Sequence, residues 1–331
     1  MKFSWATIKK PVVALAPMSG VSDIAMRVTA KRLGSDLLFS EFISAASLFY
    51  KTENEKSFML AEFLPEERPY FIQLFGNDPE HFKVAAKILS EKFQPDGFDI
   101  NFGCPARSVV NSGAGSALFC EPTKAAEIIQ TVKNASGGLP TSIKLRAAFK
   151  NISVLDFIDN IKNAPFENVT LHMRTYEQLH TGTPNWDTAK ELRKKLNEFD
   201  RPISFIINGG LDSANKAKQA LEYTGADGVM IAQASLGNPF IFKEIRAALD
   251  NMEVPTTSIE ERISTALSHA KLMVQTKGEK HGIIEMRKHL AWYFKGFPKV
   301  SELRAQLVKI NSFSELESIL STMVFEKTIT S

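Results

Sequence analysis

The chain has 331 residues, 44% hydrophobic and 23% charged, with a formal net charge of +3. Those proportions exclude a disordered or fibrous chain, and the length suits one large α/β domain plus a smaller one. A charge this small does not announce a nucleic-acid binder, two cysteines make no disulfide framework, and no run of about 18 apolar residues marks a membrane span. Cys104 and Cys120 fit a reducing cytoplasm, and the N-terminal stretch MKFSWATIKKPVVALAP has neither the long apolar run nor the cleavage site of a signal peptide.

Short β-rich runs alternate with helical segments along the chain: PVVALAP (11–17), LLFSEF (37–42), YFIQLF (70–75), FDINFG (98–103), TSIKLR (141–146), NVTLHMR (168–174), ISFIING (203–209) and GVMIAQ (228–233). Most are near-continuously apolar, as parallel strands covered on both faces are. Eight βα units in about 250 residues predict a TIM barrel; a doubly wound sheet is the competitor, disfavoured by the even spacing and the lack of a GxGxxG turn. Asn77-Asp78-Pro79-Glu80 carries a side-chain cap, a first-turn proline and an early acid, so a helix is expected to follow it. After residue 250 the strand pattern stops, and 258–277, 281–296, 299–310 and 313–325 read as helices. The expected architecture is α/β: a TIM (β/α)8 barrel over residues 1–250 and a smaller C-terminal all-helical domain over 251–331, joined near DNMEVPTTS (250–258).

Active sites of such barrels lie at the carboxyl ends of the strands. Strand seven ends in INGG and strand eight runs into AQASLGNP, so small residues stand where backbone N–H groups can approach a phosphate, although each glycine segment alone could simply make a tight turn. Lys144 alternates with Ile143 and Leu145 and should point into the mouth, where a buried cation wants an anion such as reduced flavin; the alternative is an exposed strand-end lysine. His172 could donate to the same ring or be a satisfied structural histidine, and Gln73 could read a ring edge or tie two strands together.

The segment DINFGCPARSVVNSGAGSALF (99–119) carries the strongest signal. Cys104 follows a buried strand in a glycine- and proline-bounded loop, a place for a reactive group, whereas a lone cysteine such as Cys120 is more often a small core hydrophobe. The loop GAGSAL (113–118) is small enough to serve as a lid.

At this point the sequence resembles the tRNA-dihydrouridine synthases, in particular the bacterial branch with a helical C-terminal domain. The resemblance spans nearly the whole chain and rests on APMSGVSD (16–23), SE (40–41), QLFG (73–76), DINFGCP (99–105) with GSAL (115–118), IKLR (143–146), HMRT (172–175), INGG (207–210), TGADGVMI (224–231), LGNPFIF (236–242) and MRKHLAWYFKGFP (286–298). It implies an FMN enzyme that reduces the C5=C6 bond of selected uridines in tRNA, with NADPH as the reductant. By the resemblance, Pro17, Met18 and Ser19 pack against the flavin, Gln73 and Lys144 bind its ring, and His172 lies beside it. Backbone at Asn208, Gly209, Gly210, Ala232 and Gln233 holds the phosphate, Asn101 helps to place the uracil, and Cys104 is the proton donor. A thiol of ordinary pKa, about 8.5, is mostly protonated at neutral pH and can supply that proton. Two departures stand out: Ala232-Gln233-Ala234 occupies a turn where many relatives have an arginine, and leucine follows INGG.

A stacked uridine must be extruded into the mouth at a cost of a few kcal/mol, which contacts to tRNA phosphates must offset. Residues 281–310 hold Arg287, Lys288, Lys295, Lys299, Arg304 and Lys309 against two acids, Glu285 and Glu302, with Trp292, Tyr293, Phe294 and Phe297 between them. The basic residues predict an RNA-facing surface, with a plain solvated helix face over an aromatic core as the alternative, and the aromatics are expected to be mostly core, while Arg107, Arg146 and Arg174 are expected near the mouth, on RNA phosphates or the uracil. Competing readings are a flavin reductase of a free pyrimidine, like dihydroorotate dehydrogenase, and a catalytically idle RNA-binding relative. The basic helical region argues against the first, and the presence of Cys104, Lys144 and His172 against the second. No metal site and no obligate protein partner is expected.

Overall fold

The computed structural model describes residues 3–295 and 300–330, with backbone only at Val300 and 323–330. Eight parallel strands form the barrel: β1 (Val12–Leu15), β2 (Leu38–Phe39), β3 (Tyr70–Phe75), β4 (Gly97–Asn101), β5 (Thr141–Arg146), β6 (Asn168–His172), β7 (Ser204–Asn208) and β8 (Gly228–Ile231). Each pairs with its neighbour in chain order from β2 to β8, and β8 pairs with β1. A bridge between Ala14 and Leu37 brings β1 against β2 and closes the ring.

The closed ring divides every strand by parity. Val13, Leu15, Ile72, Leu74, Ile100, Ile143, Leu145, Val169, Leu171, Phe205, Ile207, Val229 and Ile231 are fully buried in the apolar layer beneath the surrounding helices. The alternate residues point inward. On the β1, β2 and β8 side these are Val12, Ala14, Phe39 and Met230, which join Trp5, Phe71 and Ile206 in a separate apolar cluster. On the β3 to β7 side they are Gln73, Asp99, Asn101, Ser142, Lys144, Arg146, Thr170, His172 and Asn208, so half of the interior is polar.

Helices α1 (Ile24–Arg32), α2 (Pro79–Phe93), α3 (Pro122–Ala135), α4 (Val154–Asn160), α5 (Trp186–Asn197), α6 (Ala214–Thr224) and α7 (Ile241–Leu249) follow the strands, with shorter helices at Ala45–Tyr50, Glu55–Ala61 and Arg107–Asn111. Asp78 caps α2 as expected, accepting from the Glu80 N–H at 2.9 Å. Four details differ from expectation. The second strand is short because the ladder changes from backbone to side chain at Ser40: its N–H still donates to the Phe71 carbonyl at 2.9 Å, but its hydroxyl, in place of its carbonyl, accepts from the Gln73 N–H at 2.9 Å, and pairing with β3 resumes only at Ile43–Ser44. A two-stranded hairpin, Ala148–Phe149 with Ile152–Ser153, follows β5. The glycine-rich loop is no lid: Gly115–Cys120 is a 3-10 helix whose Gly115, Ser116, Leu118 and Phe119 are buried. Leu118 and Phe119 supply the apolar anchor, with Phe119 stacked 4.4 Å from Phe157. Cys120, at the end of that helix, is exposed and not a core residue.

The C-terminal helices are α8 (Ile259–Lys277), α9 (Glu279–Tyr293), α10 (Val300–Leu307) and α11 (Phe313–Thr330). Their apolar cluster includes Ala25 and Val28 of α1 and Phe240 before α7, so the helical region shares a core with the barrel's edge. Asp23, the N-cap of α1, pairs with Lys277, which also pairs with Glu285 at 2.6 Å. Arg262 donates to the carbonyls of Gly237 at 2.9 Å and Tyr293 at 3.1 Å. Gly237 has φ +66°, and a Cβ there would overlap the Trp292 backbone. Among the described residues no helix is long and apolar enough to cross a membrane. Gly237→Ala is expected to lower stability by about 2 kcal/mol or more, through overpacking and a left-handed backbone. Denaturant titration checks this, and an unchanged midpoint would remove the close-approach argument.

Candidate active site

A cavity of about 500 Å³ opens at the carboxyl ends of the strands, within the range of small-molecule sites. Pro17, Met18, Ser19, Gln73, Asn101, Cys104, Lys144, Arg146, His172, Arg174, Asn208, Gly209, Gly210, Ala232 and Gln233 all line it. Residues far apart in the chain thus converge because parallel strands deliver their ends to one face.

Lys144 is the electrostatic centre. Its ammonium donates to Asn208 Oδ1 at 3.3 Å, and Asn208 in turn donates to the Met230 carbonyl at 2.7 Å. Burial, reinforced by Arg146 and only partly opposed by Asp99 and Cys104, draws its pKa down to about 8. His172 is neutral: burial and then Lys144, Arg146 and Arg174 hold its pKa at about 2. Its Nδ1 is buried with no partner among the described residues, a condition that buried polar atoms rarely tolerate. Gly209 and Gly210, at φ +99° and +72°, keep the neighbouring turn slender; a Cβ on Gly210 would strike Pro184.

Cys104 is 9% exposed and reaches the cavity from the turn after β4. Ser116 holds that turn by donating to the Cys104 carbonyl at 3.2 Å, and Gly115 sits so close that a Cβ would stand 3.0 Å from the same oxygen. Arg146 braces it from the other side, donating to the carbonyls of Gly103 at 3.0 Å, Thr175 at 2.9 Å and Leu179 at 2.8 Å. The buried guanidinium therefore ties the β4 and β6 loops together. Arg174 is half-buried and donates to the Gly182 carbonyl, and its Nη2 lies beside Gly210.

Not every candidate converges on the cavity. Arg107 is exposed on the short helix Arg107–Asn111 and is not among the lining residues. Arg287 is committed to the Ile310 carbonyl, at 2.7 and 3.0 Å, and to Asn311. Lys288 donates to the Gly20 carbonyl in the loop after β1, and Lys295 is exposed. Tyr293 and Phe294 are buried core residues and Trp292 is half-buried, while Lys299 and Phe297 lie outside the described residues. The cavity also takes in Phe42 and His180, which the strand-end pattern does not single out. Phe42 ends a predicted strand, so its place in the sequence is a usable signal; His180 lies eight residues past the end of β6, in a loop where periodicity carries none. No cluster of three His, Cys, Asp or Glu suited to a metal occurs among the described residues.

Beneath the cavity Asp99 is fully enclosed, and burial pushes its pKa up to about 6 against the hydrogen bonds from Ser142 and Gln73 and the charge of Lys144. Because the folded-state value lies above the unfolded one, ionisation costs stability: the penalty grows as pH rises from about 4 and is complete above about 6. Asp99→Asn should be more stable than wild type by about 1–3 kcal/mol at neutral pH, with the difference vanishing below about pH 4. Urea denaturation across that range measures it; a wild type equal in stability to the variant at pH 7 contradicts the assignment.

Residues 14–329 match the family described as Dihydrouridine synthase (Dus). The chain is 33% identical over 319 residues to the probable tRNA-dihydrouridine synthase 1 of Synechocystis sp., covering 94% of this chain and 86% of that one. It is 32% identical over 310 residues to the probable tRNA-dihydrouridine synthase of Aquifex aeolicus, covering 93% and 94%. A histamine dehydrogenase from Rhizobium sp. 4-9 resembles it in fold, with a TM-score of 0.54 at 14% identity over 78% of this chain and 48% of that one. With a match that begins in β1 and runs on into α11, the chain belongs to the dihydrouridine synthase family.

Proposed function

We propose that this chain reduces the C5=C6 bond of specific uridines in tRNA, using FMN with NADPH as the reductant, in the cytoplasm where that RNA is found. The observation that carries the reading is the placement of one thiol, Cys104, at the mouth of a cavity whose floor holds a buried ammonium and a neutral imidazole with no partner for its Nδ1 among the described residues. Those groups fit a flavin. The orphaned Nδ1 of His172 gains a partner on the ring edge, Lys144 gains an anion, and the slender Gly209-Gly210 turn and the Ala232-Gln233 turn leave room for a phosphate. Pro17, Met18 and Ser19 would pack against the ring and Gln73 would read its edge. Arg174, whose Nη2 lies beside Gly210, would compensate for the alanine-flanked Gln233 at the eighth strand.

A reduced flavin held by these residues would supply the hydride for C6 of the uracil. Asn101 places the base, Cys104 Sγ–H gives its proton to C5, and the Ser116, Gly115 and Arg146 contacts hold the Cys104 turn while it does so. The helical region over 251–331, with Lys288 and Lys295, binds tRNA phosphates, and the exposed Arg107, three residues beyond Cys104 in the chain, is a further RNA contact. Arg146 and Arg287 act chiefly inside the protein, as braces for the Cys104 turn and for the segment entering α11.

Mass spectrometry of unmodified tRNA after incubation with NADPH and the protein tests the reading as a whole: dihydrouridine at defined positions is expected, and none would sink it. Cys104→Ala should leave flavin reduction by NADPH intact while product formation falls about 100-fold or more, and normal turnover would exclude the thiol as the acid. Flavin affinity of the stripped protein should weaken as pH rises through about 8, because the folded-state pKa of Lys144 is depressed to about that value and the neutral lysine attracts no anion. Lys144→Met should abolish that limb; its persistence would point to another group. Neutralising Lys288 and Lys295 together should weaken tRNA binding and reduce its logarithmic salt slope by about 1 per lost phosphate contact.

A further inference from the structure

A chain of hydrogen bonds runs from the middle of the barrel to the Cys104 turn. Gln73 Nε2 donates to Asp99 Oδ2 at 2.5 Å, and Asn101 Nδ2 donates to Gln73 Oε1 at 3.0 Å. The Gly103 N–H then donates to Asn101 Oδ1 at 3.1 Å. Ser142 donates to the other carboxylate oxygen of Asp99. All four side chains are buried, and Gln73 and Asn101 line the cavity while Asp99 and Ser142 do not.

The direction of this chain is not arbitrary. An ionised carboxylate only accepts, so the end of the Gln73 carboxamide that faces Asp99 must be its NH2. That leaves Oε1 towards Asn101, which must answer with its own NH2, and the Asn101 oxygen is then the atom turned to the Gly103 N–H. A carboxamide reversed anywhere along the line would set two donors or two acceptors against each other in a buried place. We propose that Asp99 is a positioning residue of the active site: through Gln73 and Asn101 it sets which donor and acceptor each carboxamide presents to the cavity, and it fastens the turn that carries Cys104. The inference rests on the flavin reading, since the edge to which Gln73 is presented is that of the cofactor.

The test reverses the polarity without changing the net charge. Asn101→Asp alone places an acceptor at both ends of Gln73 and should destabilise the protein. Adding Asp99→Asn gives a fully paired relay running the other way. The amide introduced at position 99 donates to Gln73 Oε1, the Gln73 NH2 donates to the carboxylate introduced at position 101, and Gly103 still finds an acceptor. The double variant should recover the melting temperature of wild type. Its Gln73 is inverted, however, so flavin should bind about tenfold or more weakly and its visible absorption band should move. Gln73→Leu, in either background, should erase the difference between them.

A double variant that recovers stability and also binds flavin with the wild-type spectrum and affinity overturns the relay, because charge alone would then account for the rescue. An Asn101→Asp protein as stable as wild type also overturns it. Wild-type protein that binds no flavin overturns the relay and the functional reading together, whereas the other two outcomes leave that reading standing.

Discussion

In a closed parallel barrel every second residue of every strand points to the axis, and no rearrangement of loops can take those residues out of the interior. Here that constraint meets a sequence whose inward residues are apolar on one side and polar on the other. Val12, Ala14, Phe39, Phe71 and Met230 make an ordinary plug, whereas Gln73, Asp99, Asn101, Ser142, Lys144, His172 and Asn208 fill the opposite side with groups that must be paired. The partial pairing of that polar half is what makes a site. Asp99, Gln73 and Asn101 are bonded to one another, while among the described residues the Lys144 ammonium makes one bond and His172 Nδ1 none.

The electrostatics follow from this arrangement. Lys144, Arg146 and Arg174 crowd three positive charges near a cavity whose buried acid, Asp99, lies beneath its floor. Burial lowers the affinity of Lys144 for its proton and that of His172 far more, leaving an imidazole that remains neutral beside the cations. An anionic guest relieves the strain on both, since it gives the ammonium a counter-charge and the imidazole a partner. The ground is prepared for a ligand that is itself electron-rich and edged with hydrogen-bonding atoms.

Most of the barrel was legible because eight runs of β-branched and aromatic residues recur at even spacing, and because the alternation around Lys144 fixes its direction without any knowledge of its neighbours. The convergence of Gln73, Cys104, Lys144, His172 and the two glycine turns followed from topology alone. Other features depend on contacts between distant segments and leave no local trace. The Gly115–Cys120 segment is rich in small residues, as a mobile loop would be, yet it is clamped by Phe119 on Phe157 and by Ser116 on Cys104. Arg146 and Arg287 look like RNA ligands by charge, but carbonyls from remote loops use their donors. Asp99 was within reach of the strand pattern, two residues before Asn101 on the same face, but only the placement of Gln73 on the adjoining strand gives it a purpose.

At Gly237 the backbone of Trp292 occupies the space of the missing Cβ, Arg262 grips the carbonyls on both sides, and Lys288 and Lys277 hold the loop after β1. The helical region is therefore not an appendage that can be exchanged between relatives as a cassette. A graft from another member would have to bring a matching surface for α1, Phe240 and the Gly20 carbonyl, so drift in the helical region is tethered to the barrel's edge. Sequence change in the helical region is consequently expected on the outer faces of α9 and α10, where it leaves this seam untouched.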